Sequence, residues 1–191
     1  MTAVDDRPIT ESITEYFEDL QVPEGYKCEL LRGDIVMMAG PSWVHNMIVL
    51  TIQRQIFPEE RWNPVTTQDI AIPGEASRPQ PDLVVVESGA YEGAGHFVPA
   101  PAVTLVLEVV SKNSADRDYR IKRSIYAAGG IPTYLIVDPF TACSTLLTEP
   151  AGAGEEADYV SRRVFKFGDS VPLDDLGVLL RTDDFQTLPS H

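Results

Sequence analysis

The sequence predicts an α/β fold in which a mixed β-sheet is flanked by α-helices. The stretch from residue 103 to 137 has the pattern strand, helix, strand, which is typical of a parallel βαβ unit. Hairpin patterns before and after this unit add antiparallel strands, so a mixed sheet is expected. The 191 residues suffice for one core-forming domain and are too few for two of ordinary size. We therefore expect a single domain over residues 1–191.

A helix, a hairpin and a second helix are predicted in the first third of the chain. Apolar residues at helical spacing indicate the first helix, and the turn Arg32-Gly33-Asp34 separates the two β-rich runs of the hairpin. Ser42 is a suitable N-cap for the second helix. The expected ranges are 10–20 for the first helix, 26–31 and 35–38 for the hairpin, and 42–56 for the second helix.

The middle of the chain is predicted to be rich in strands. Residues 65–72 are β-rich and end at Pro73-Gly74, and residues 82–86 form a strand that opens after Pro81. The run 103–110 is apolar on both of its alternating faces, which predicts a central strand covered on both sides.

One further helix and several β-rich stretches are predicted after the central strand. Ser114 is placed to cap that helix, and Gly129-Gly130 marks its end. The expected ranges are 115–128 for the helix, 133–137, 144–148 and 159–167 for the strands, and 176–180 for an apolar patch that docks on the body.

Composition excludes several classes of protein and of partner. With 29 acidic and 15 basic residues the formal net charge is -14, which argues against a protein that coats nucleic acid or anionic membranes electrostatically. Cys28 and Cys143 lie too far apart in sequence to form a disulfide framework or a CxxC metal site. The first six residues lack the pattern of a signal peptide, and the longest apolar stretch is too short to span a bilayer. A cytoplasmic protein is expected.

Two carboxylates stand on apolar strands and are candidates for a functional site. Glu108 interrupts the central strand, and a buried, unpaired carboxylate costs several kcal/mol, so Glu108 needs a partner. That partner is either a cation in a structural ion pair or a metal ion. Asp82 opens a neighbouring strand, where a lone Asp is commonly a turn residue. Two carboxylates that converge on adjacent strands form the oxygen-rich environment that Mg²⁺ prefers.

Basic residues are concentrated on the helix after Glu108. Residues 117–123 contain Arg117, Arg120, Lys122 and Arg123, and Asp118 stands four residues before Lys122. Such a run is commonly a solvated, salt-bridged helix face, but it can also bring one basic side chain over the strand ends. His45 is expected to be a packed residue of its helix, and His96 has no evident partner.

An ordered set of motifs resembles the bacterial Uma family of restriction-endonuclease-like proteins, within the PD-(D/E)XK nuclease superfamily. The similarity covers about residues 15–148, and leaves a C-terminal β-rich extension and tail beyond it. The motifs are Glu29-Leu30-Leu31-Arg32-Gly33 with the following His45, Pro81-Asp82, Leu107-Glu108-Val109-Val110-Ser111, Asp116-Arg117-Asp118 through Lys122, Tyr126 to Ile131, and Tyr134 to Pro139.

The resemblance implies a restriction-endonuclease-like core with a Mg²⁺-dependent phosphodiesterase site, in which Mn²⁺ could replace Mg²⁺. Asp82 and Glu108 would be the acidic metal ligands, with the backbone carbonyl of Val109 as a further ligand. The lysine that the superfamily carries two residues after the glutamate is Val110 here. The Uma pattern places the lysine at Lys122, with Lys112 as a competitor. Glu29 would contact the metal through water or orient Lys122.

Three functions are compatible with these features. The leading expectation is an endonuclease that hydrolyses phosphodiester bonds in DNA, and a cutter of both strands would be a symmetric homodimer. A catalytically lapsed nuclease-fold protein that binds or regulates a partner is favoured by Val110 and by the net charge. A phosphoesterase acting on another substrate is the third. No membrane partner is expected.

Overall fold

The computed structural model describes residues 9–93 and 95–189. The first six residues, on which the expectation about a signal peptide was based, lie outside this range. The described residues contain three α-helices, and none of these is both long and apolar enough to cross a bilayer. The helices are α1 (Ile9–Glu18), α2 (Trp43–Ile56) and α3 (Lys122–Ala128), and a π-helical segment (Arg117–Ile121) leads directly into α3.

Twelve strands are found in the described parts of the chain. In chain order they are β1 (Tyr26–Leu31), β2 (Asp34–Ala39), β3 (Trp62–Val65), β4 (Asp69–Ala71), β5 (Leu83–Glu87), β6 (Phe97–Pro99), β7 (Val103–Val109), β8 (Thr133–Asp138), β9 (Cys143–Ala151), β10 (Asp158–Lys166), β11 (Ser170–Leu173) and β12 (Val178–Arg181).

The predicted mixed sheet is confirmed. Six strands form it in the order β10-β9-β8-β7-β5-β3. Within this six-stranded sheet, β7 and β8 are the one parallel pair, and the crossover that joins them contains α3. The other neighbouring strands of the sheet are antiparallel. Three two-stranded sheets accompany it: the hairpin β1-β2, the parallel pair β4-β6, and the hairpin β11-β12.

The prediction of one continuous β-rich stretch over residues 65–72 is wrong in one respect. The chain turns at Thr67, whose φ is 57°, and so divides the stretch between two sheets. β3 is antiparallel to β5 in the main sheet, whereas β4 pairs with β6, a short strand that the sequence pattern did not indicate. Pro64 is tolerated in β3 because β3 is an edge strand.

The core lies on both faces of the central strand, as its uninterrupted apolar pattern predicts. Alternate residues of β7 enter two different apolar clusters, Val106 on one face and Leu105 and Leu107 on the other. α3 covers the first face through Ile125, and α2 covers the second through Ile52. The predicted docking of the C-terminal patch is confirmed, because buried Leu176 and Leu180 join the α2-side cluster.

Strand pairing places the two candidate carboxylates side by side. β5 runs antiparallel to β7 with Leu83 opposite Leu107, so Asp82, just before β5, lies beside the end of β7 that carries Glu108. The hairpin β1-β2 is attached to the segment before β5 by reciprocal backbone hydrogen bonds between Leu30 and Arg78. This attachment brings β1 to the same end of the sheet.

Candidate active site

A cleft of about 980 Å³ opens where the ends of β5 and β7 meet the hairpin, the start of α2 and the π-helical segment. Four of the residues singled out from sequence line it: Asp82, Glu108, Val109 and Lys122. The fifth, Glu29, is fully buried at the back of the cleft, where it contacts Lys122. The fold thus brings residues from four separate segments into one place.

Glu108 is held by one of its two carboxylate oxygens. Its Oε1 accepts hydrogen bonds from the Lys122 ammonium and from the Tyr126 hydroxyl, each at 2.7 Å. No described residue bonds its Oε2. Burial raises the pKa of Glu108 above its ordinary value, against the charge of Lys122, and the charge of Asp82 adds to the rise. The ionised form of Glu108 is therefore stable only with positive charge close to its carboxylate.

Lys122 supplies part of that charge. Its Nζ lies 2.7 Å from Oε1 of Glu108, 2.9 Å from Oε1 of Glu29 and 4.0 Å from Oδ1 of Asp118. Burial alone would lower the pKa of Lys122, but the carboxylates around it raise the pKa above its ordinary value. Lys122 is therefore an ammonium ion that joins two buried glutamates.

Asp82 is oriented by the end of β7 and by α2. Its Oδ2 accepts a hydrogen bond from the Val109 amide at 2.8 Å and lies 2.8 Å from Nε2 of His45. Its Oδ1 has no hydrogen bond within the described residues, and the nearest ammonium, that of Lys27, is 3.7 Å away. Burial would raise the pKa of Asp82, but the hydrogen bond from His45 and the charge of Lys27 hold it at about 2. Asp82 is therefore ionised at neutral pH.

Glu29 faces inward from β1. Its Oε1 accepts a hydrogen bond from the Gln80 amide at 2.8 Å and pairs with Lys122 and, at 3.5 Å, with Lys27. Its Oε2 is buried and has no hydrogen-bond donor among the described residues. Although burial opposes ionisation, the charges of Lys122 and Lys27 lower the pKa of Glu29.

Sequence reasoning did not assign three residues to this site. His45 was expected to be a structural helix residue, yet it lines the cleft and contacts Asp82. Lys27 and Tyr126 also belong to the network, while Asp118, which the spacing had paired with Lys122, lies 4.0 Å from its Nζ. Spacing held a signal for two of them, because Lys27 shares a strand face with Glu29 and Tyr126 stands one helical turn after Lys122. The contact of His45 depends on how α2 docks, which local spacing does not reveal.

The four cations of residues 117–123 do not form one basic surface beside the carboxylates. Lys122 is buried, Arg120 pairs with Asp116, and Arg123 pairs with Asp158. Arg117 is the one further cation of this run that lines the cleft. The alternative of a solvated, salt-bridged helix face therefore describes Arg120 and Arg123, but not Lys122. Lys112, the competitor for the lysine role, lies exposed in the turn after β7.

The site carries more negative than positive charge. Among the described residues, the carboxylates of this site face two ammonium groups, those of Lys27 and Lys122. The carboxylates are those of Glu29, Asp82, Glu108 and Asp118. Three or more His, Cys, Asp or Glu side chains do not come together as a metal-binding group anywhere in the described residues.

Comparison with known proteins identifies the family. A family model named Uma2 and described as "Putative restriction endonuclease" matches residues 14–182. The chain belongs to the Uma2 family. Because the Uma2 match runs to residue 182, it includes β10 to β12, which lie beyond the range of about 15–148 expected from the motifs. No match is found among curated proteins.

A solved structure supports the Uma2 assignment at the level of the fold. It is a crystal structure described as "a putative nuclease belonging to DUF820" from Anabaena variabilis ATCC 29413. It superimposes with a TM-score of 0.69 at 15% sequence identity, over 90% of this chain and 96% of the other. This Uma2 protein therefore shares the overall fold of that solved structure.

Proposed function

We propose that this protein is a Mg²⁺-dependent endonuclease that hydrolyses phosphodiester bonds in DNA. Membership of a restriction-endonuclease family supports nuclease chemistry. The observation that carries the proposal is the arrangement of Asp82 and Glu108 on adjacent strand ends. Each anchors one carboxylate oxygen in hydrogen bonds and leaves the other without a donor among the described residues. Such free, ionisable oxygens at the floor of a cleft are suited to a divalent cation.

The donor set fits a hard cation. Oδ1 of Asp82 and Oε2 of Glu108 would hold it, with the carbonyl of Val109 at the end of β7. Mg²⁺ keeps several waters and needs few protein ligands, so this small set is sufficient, and Mn²⁺ would be accepted by the same oxygens. When bound, the ion supplies Lewis acidity at the scissile phosphate and lowers the pKa of a bound water.

The chain's own residues prepare the site for that chemistry. His45 and the Val109 amide fix the orientation of Asp82. Tyr126 and Lys122 fix Glu108, and Glu29 in turn holds Lys122. We assign to the Lys122 ammonium the stabilisation of negative charge that develops on the phosphate or on an attacking hydroxide. Preorganised charge of this kind is commonly worth 10²- to 10³-fold in rate per donor.

Cleavage assays test the proposal directly. The purified protein is incubated with supercoiled plasmid and with labelled linear DNA in Mg²⁺, in Mn²⁺ and in EDTA. We expect cutting that requires the metal and is abolished in Glu108→Gln and in Asp82→Asn. Asp116→Asn is the matched control, because Asp116 is an exposed carboxylate that pairs with Arg120 outside the cleft. If both site variants cut as well as the wild type, the assignment of the site is wrong.

A second candidate function is a nuclease-fold protein that has lost catalysis and binds or regulates a partner. One observation favours it: the ammonium of Lys122 is already paired with two buried glutamates, Glu29 and Glu108. The position two residues after Glu108 carries buried Val110 instead of a lysine. Under this alternative no nucleic acid is cut with any metal, and Glu108→Gln changes stability only.

We propose the cytoplasm as the compartment and a symmetric homodimer as the acting form. The first is supported by two free cysteines, Cys28 and Cys143. The second follows from the geometry of double-strand cutting, in which each copy addresses one strand. Sedimentation equilibrium in the presence of DNA checks the second point, and a protein that stays monomeric while cutting both strands would contradict it.

A further inference from the structure

Two cations with unused hydrogen-bond donors line the cleft on the side of the hairpin. Lys27 reaches the cleft from β1, and Arg117 reaches it from the π-helical segment. Both lie next to Met38, since Lys27 pairs with Met38 across the hairpin and Arg117 donates from Nη2 to the Met38 sulfur at 3.3 Å. Two cationic side chains from different elements are therefore neighbours at one wall of the cleft.

The Lys27 ammonium is accessible from the cleft. It lies 3.5 Å from Oε1 of Glu29 and 3.7 Å from Oδ1 of Asp82, within ion-pair range but beyond the usual length of a hydrogen bond. Within the described residues it donates no hydrogen bond, and the side chain is 25% exposed. Lys122, by contrast, is 3% exposed and pairs closely with two glutamates. Of the two ammonium groups beside the carboxylates, that of Lys27 is therefore the one that a ligand can contact.

Arg117 also has donors to spare. Its one hydrogen bond among the described residues goes to the sulfur of Met38, a weak acceptor, and its buried Nε has no acceptor. No carboxylate of the described residues lies within ion-pair distance of its guanidinium. A guanidinium presents a planar fork of donors that matches two oxygens of a phosphate. Arg117 is therefore an unpaired cation whose donors are suited to a phosphate group.

The π-helical segment explains why Arg117 faces the cleft together with Lys122. In an α-helix, five residues at about 100° each would place these two side chains roughly 140° apart. Here the Lys122 amide donates to the Arg117 carbonyl, an i to i+5 bond that widens the turn and reduces this angle. Both side chains line the cleft as a result. Single widened turns of this kind are frequent at functional sites.

We infer that Lys27 and Arg117 bind the phosphate backbone of the DNA substrate, with Lys27 at the phosphate next to the free oxygen of Asp82 and Arg117 on the same strand. Phosphate contacts fix the position of a nucleic acid in a site without reading its sequence. Two local contacts are compatible with the net charge of -14, which opposes an extended phosphate-binding surface. The inference rests on the proposed function for its site, but it concerns binding, and binding is measurable without cleavage.

Binding is measured by fluorescence anisotropy with the full chain, in EDTA and in Ca²⁺, which takes oxygen ligands as Mg²⁺ does. The probes are a labelled short DNA duplex and one of its strands, and thymidine monophosphate is the unlabelled competitor. We expect Lys27→Ala and Arg117→Ala each to weaken duplex binding about 10- to 100-fold, the range for loss of a hydrogen bond between charged groups. Lys27→Arg keeps the charge and should retain most of the affinity.

The salt dependence distinguishes a lost phosphate contact from a loss of structure. Each lost contact should make the slope of log Kobs against log salt shallower, by about 0.9 for the duplex and about 0.7 for the single strand. Thermal melts of each variant provide the second measurement. A Lys27→Ala protein that melts at a lower temperature but keeps the wild-type affinity and slope would show that Lys27 only supports Glu29 and Asp82, and would overturn the inference.

The matched controls are Arg162→Ala and Lys166→Ala. Both residues are exposed cations of β10 and lie outside the cleft, so these variants should bind DNA like the wild type. Cleft variants that bind like the controls would overturn the inference, as would a wild type that binds neither probe in either condition. Competition by the mononucleotide as strong as that by unlabelled duplex would also overturn it, in favour of a small phosphoester.

Cleavage assays separate this inference from the proposed function. A wild type whose DNA binding depends on Lys27 and Arg117, but which cuts nothing with any metal, supports the inference and contradicts the proposed endonuclease. Metal-dependent cutting that is lost in Glu108→Gln, together with wild-type DNA affinity in both cleft variants, supports the endonuclease and contradicts the inference.

Discussion

Lys122 is a buried cation whose partners are themselves buried. Replacing it with methionine leaves Glu29 and Glu108 without their shared ammonium in a site that is closed to solvent on that side. Breaking a buried ion pair by removing one partner commonly costs about 3–5 kcal/mol. We expect Lys122→Met to lower the free energy of unfolding by that amount, as measured by urea denaturation at neutral pH.

Arg120→Met is the control for this experiment. Arg120 pairs with Asp116 on the same helical segment, but both side chains are exposed, so no measurable loss of stability is expected. A Lys122→Met protein as stable as the control would mean that Lys122 is not needed to offset the buried carboxylates.

Asp69 should make the stability depend on pH. Burial, together with the charge of Glu29, raises the pKa of Asp69 to about 6 in the folded protein, against a hydrogen bond from Gln80 that lowers it. Because the folded state then holds its proton more tightly than the unfolded state, this group's stabilising contribution is present below about pH 4 and is lost as the pH rises through 6. Because asparagine does not titrate, Asp69→Asn removes this pH-dependent loss of stability.

We therefore expect Asp69→Asn to be more stable than the wild type at pH 7, by about 1–2 kcal/mol after allowance for partial exposure, and to differ little below pH 4. Urea denaturation across pH 3.5 to 7.5 measures the difference, with Asp116→Asn as the exposed control. A difference that does not change with pH would show that Asp69 does not titrate in this range. The replacement keeps the oxygen that accepts the hydrogen bond from Gln80.

At the scale of elements, the hairpin β1-β2 depends on its two-residue turn. Arg32 and Gly33 both have positive φ, 52° and 87°, as a type I′ turn requires. Because a Cβ added at Gly33 would meet nothing within 4 Å, Gly33→Ala changes only the backbone preference. We expect it to lower the free energy of unfolding by about 1–2 kcal/mol.

Gly40→Ala is the matched control for the turn. A Cβ at Gly40 would approach Gly25 O at 3.8 Å, an ordinary contact, and Gly40 is not in the positive-φ region. Equal stability of the two variants in urea denaturation would contradict the role of backbone conformation at Gly33.

Elements with a strong periodic pattern were predictable, and elements that depend on distant pairing were not. The buried strand β7 and the helix before Gly129 follow from their own apolar residues. The break at Thr67 carries no Gly or Pro signal, and it arises because β4 pairs with β6 instead of continuing β3. The π-helical segment is likewise invisible in the pattern, since the apolar spacing of residues 115–128 agrees with an ordinary α-helix.

The residues of the candidate site also divide into those that a local pattern or motif predicts and those that depend on distant contacts. Glu108 could be found because a carboxylate inside an apolar strand must have a partner, and the family motif pointed to Asp82 and Lys122. His45 could not, because its contact with Asp82 requires α2 to dock against the end of β7. The ion pairs of the basic residues 117–123 could not be predicted in full either. Arg123, for example, pairs with Asp158, which lies far along the chain.

At the scale of the whole molecule, the net charge of -14 should limit how nucleic acid is bound. Only Lys112 and Arg117 combine a place in the cleft's lining with the lack of a carboxylate partner in the described residues. Each phosphate contact on a single strand contributes about 0.7 to the slope of log Kobs against log salt. We expect a slope of about -1 to -2, measured by anisotropy titrations at several salt concentrations.

A slope steeper than about -4 would indicate about six or more phosphate contacts and therefore a cationic surface outside the cleft. The variant Arg162→Ala distinguishes the two cases. If binding uses the cleft alone, Arg162→Ala leaves the slope of log Kobs against log salt unchanged. If exposed arginines of β10 also contact phosphates, the variant makes this slope shallower.

The ion pairs of Lys122 determine when the candidate site can assemble during synthesis of the chain. They join a residue of β1, a residue of β7 and the first residue of α3, so the contact between Glu29 and Lys122 spans 93 positions of sequence. A chain still emerging from the ribosome cannot form this contact until residue 122 is available and the hairpin has docked. Nascent and partly unfolded chains therefore carry the carboxylates without the assembled ion pairs. The candidate site forms in one late step, after residue 122 has been synthesised and the hairpin has docked.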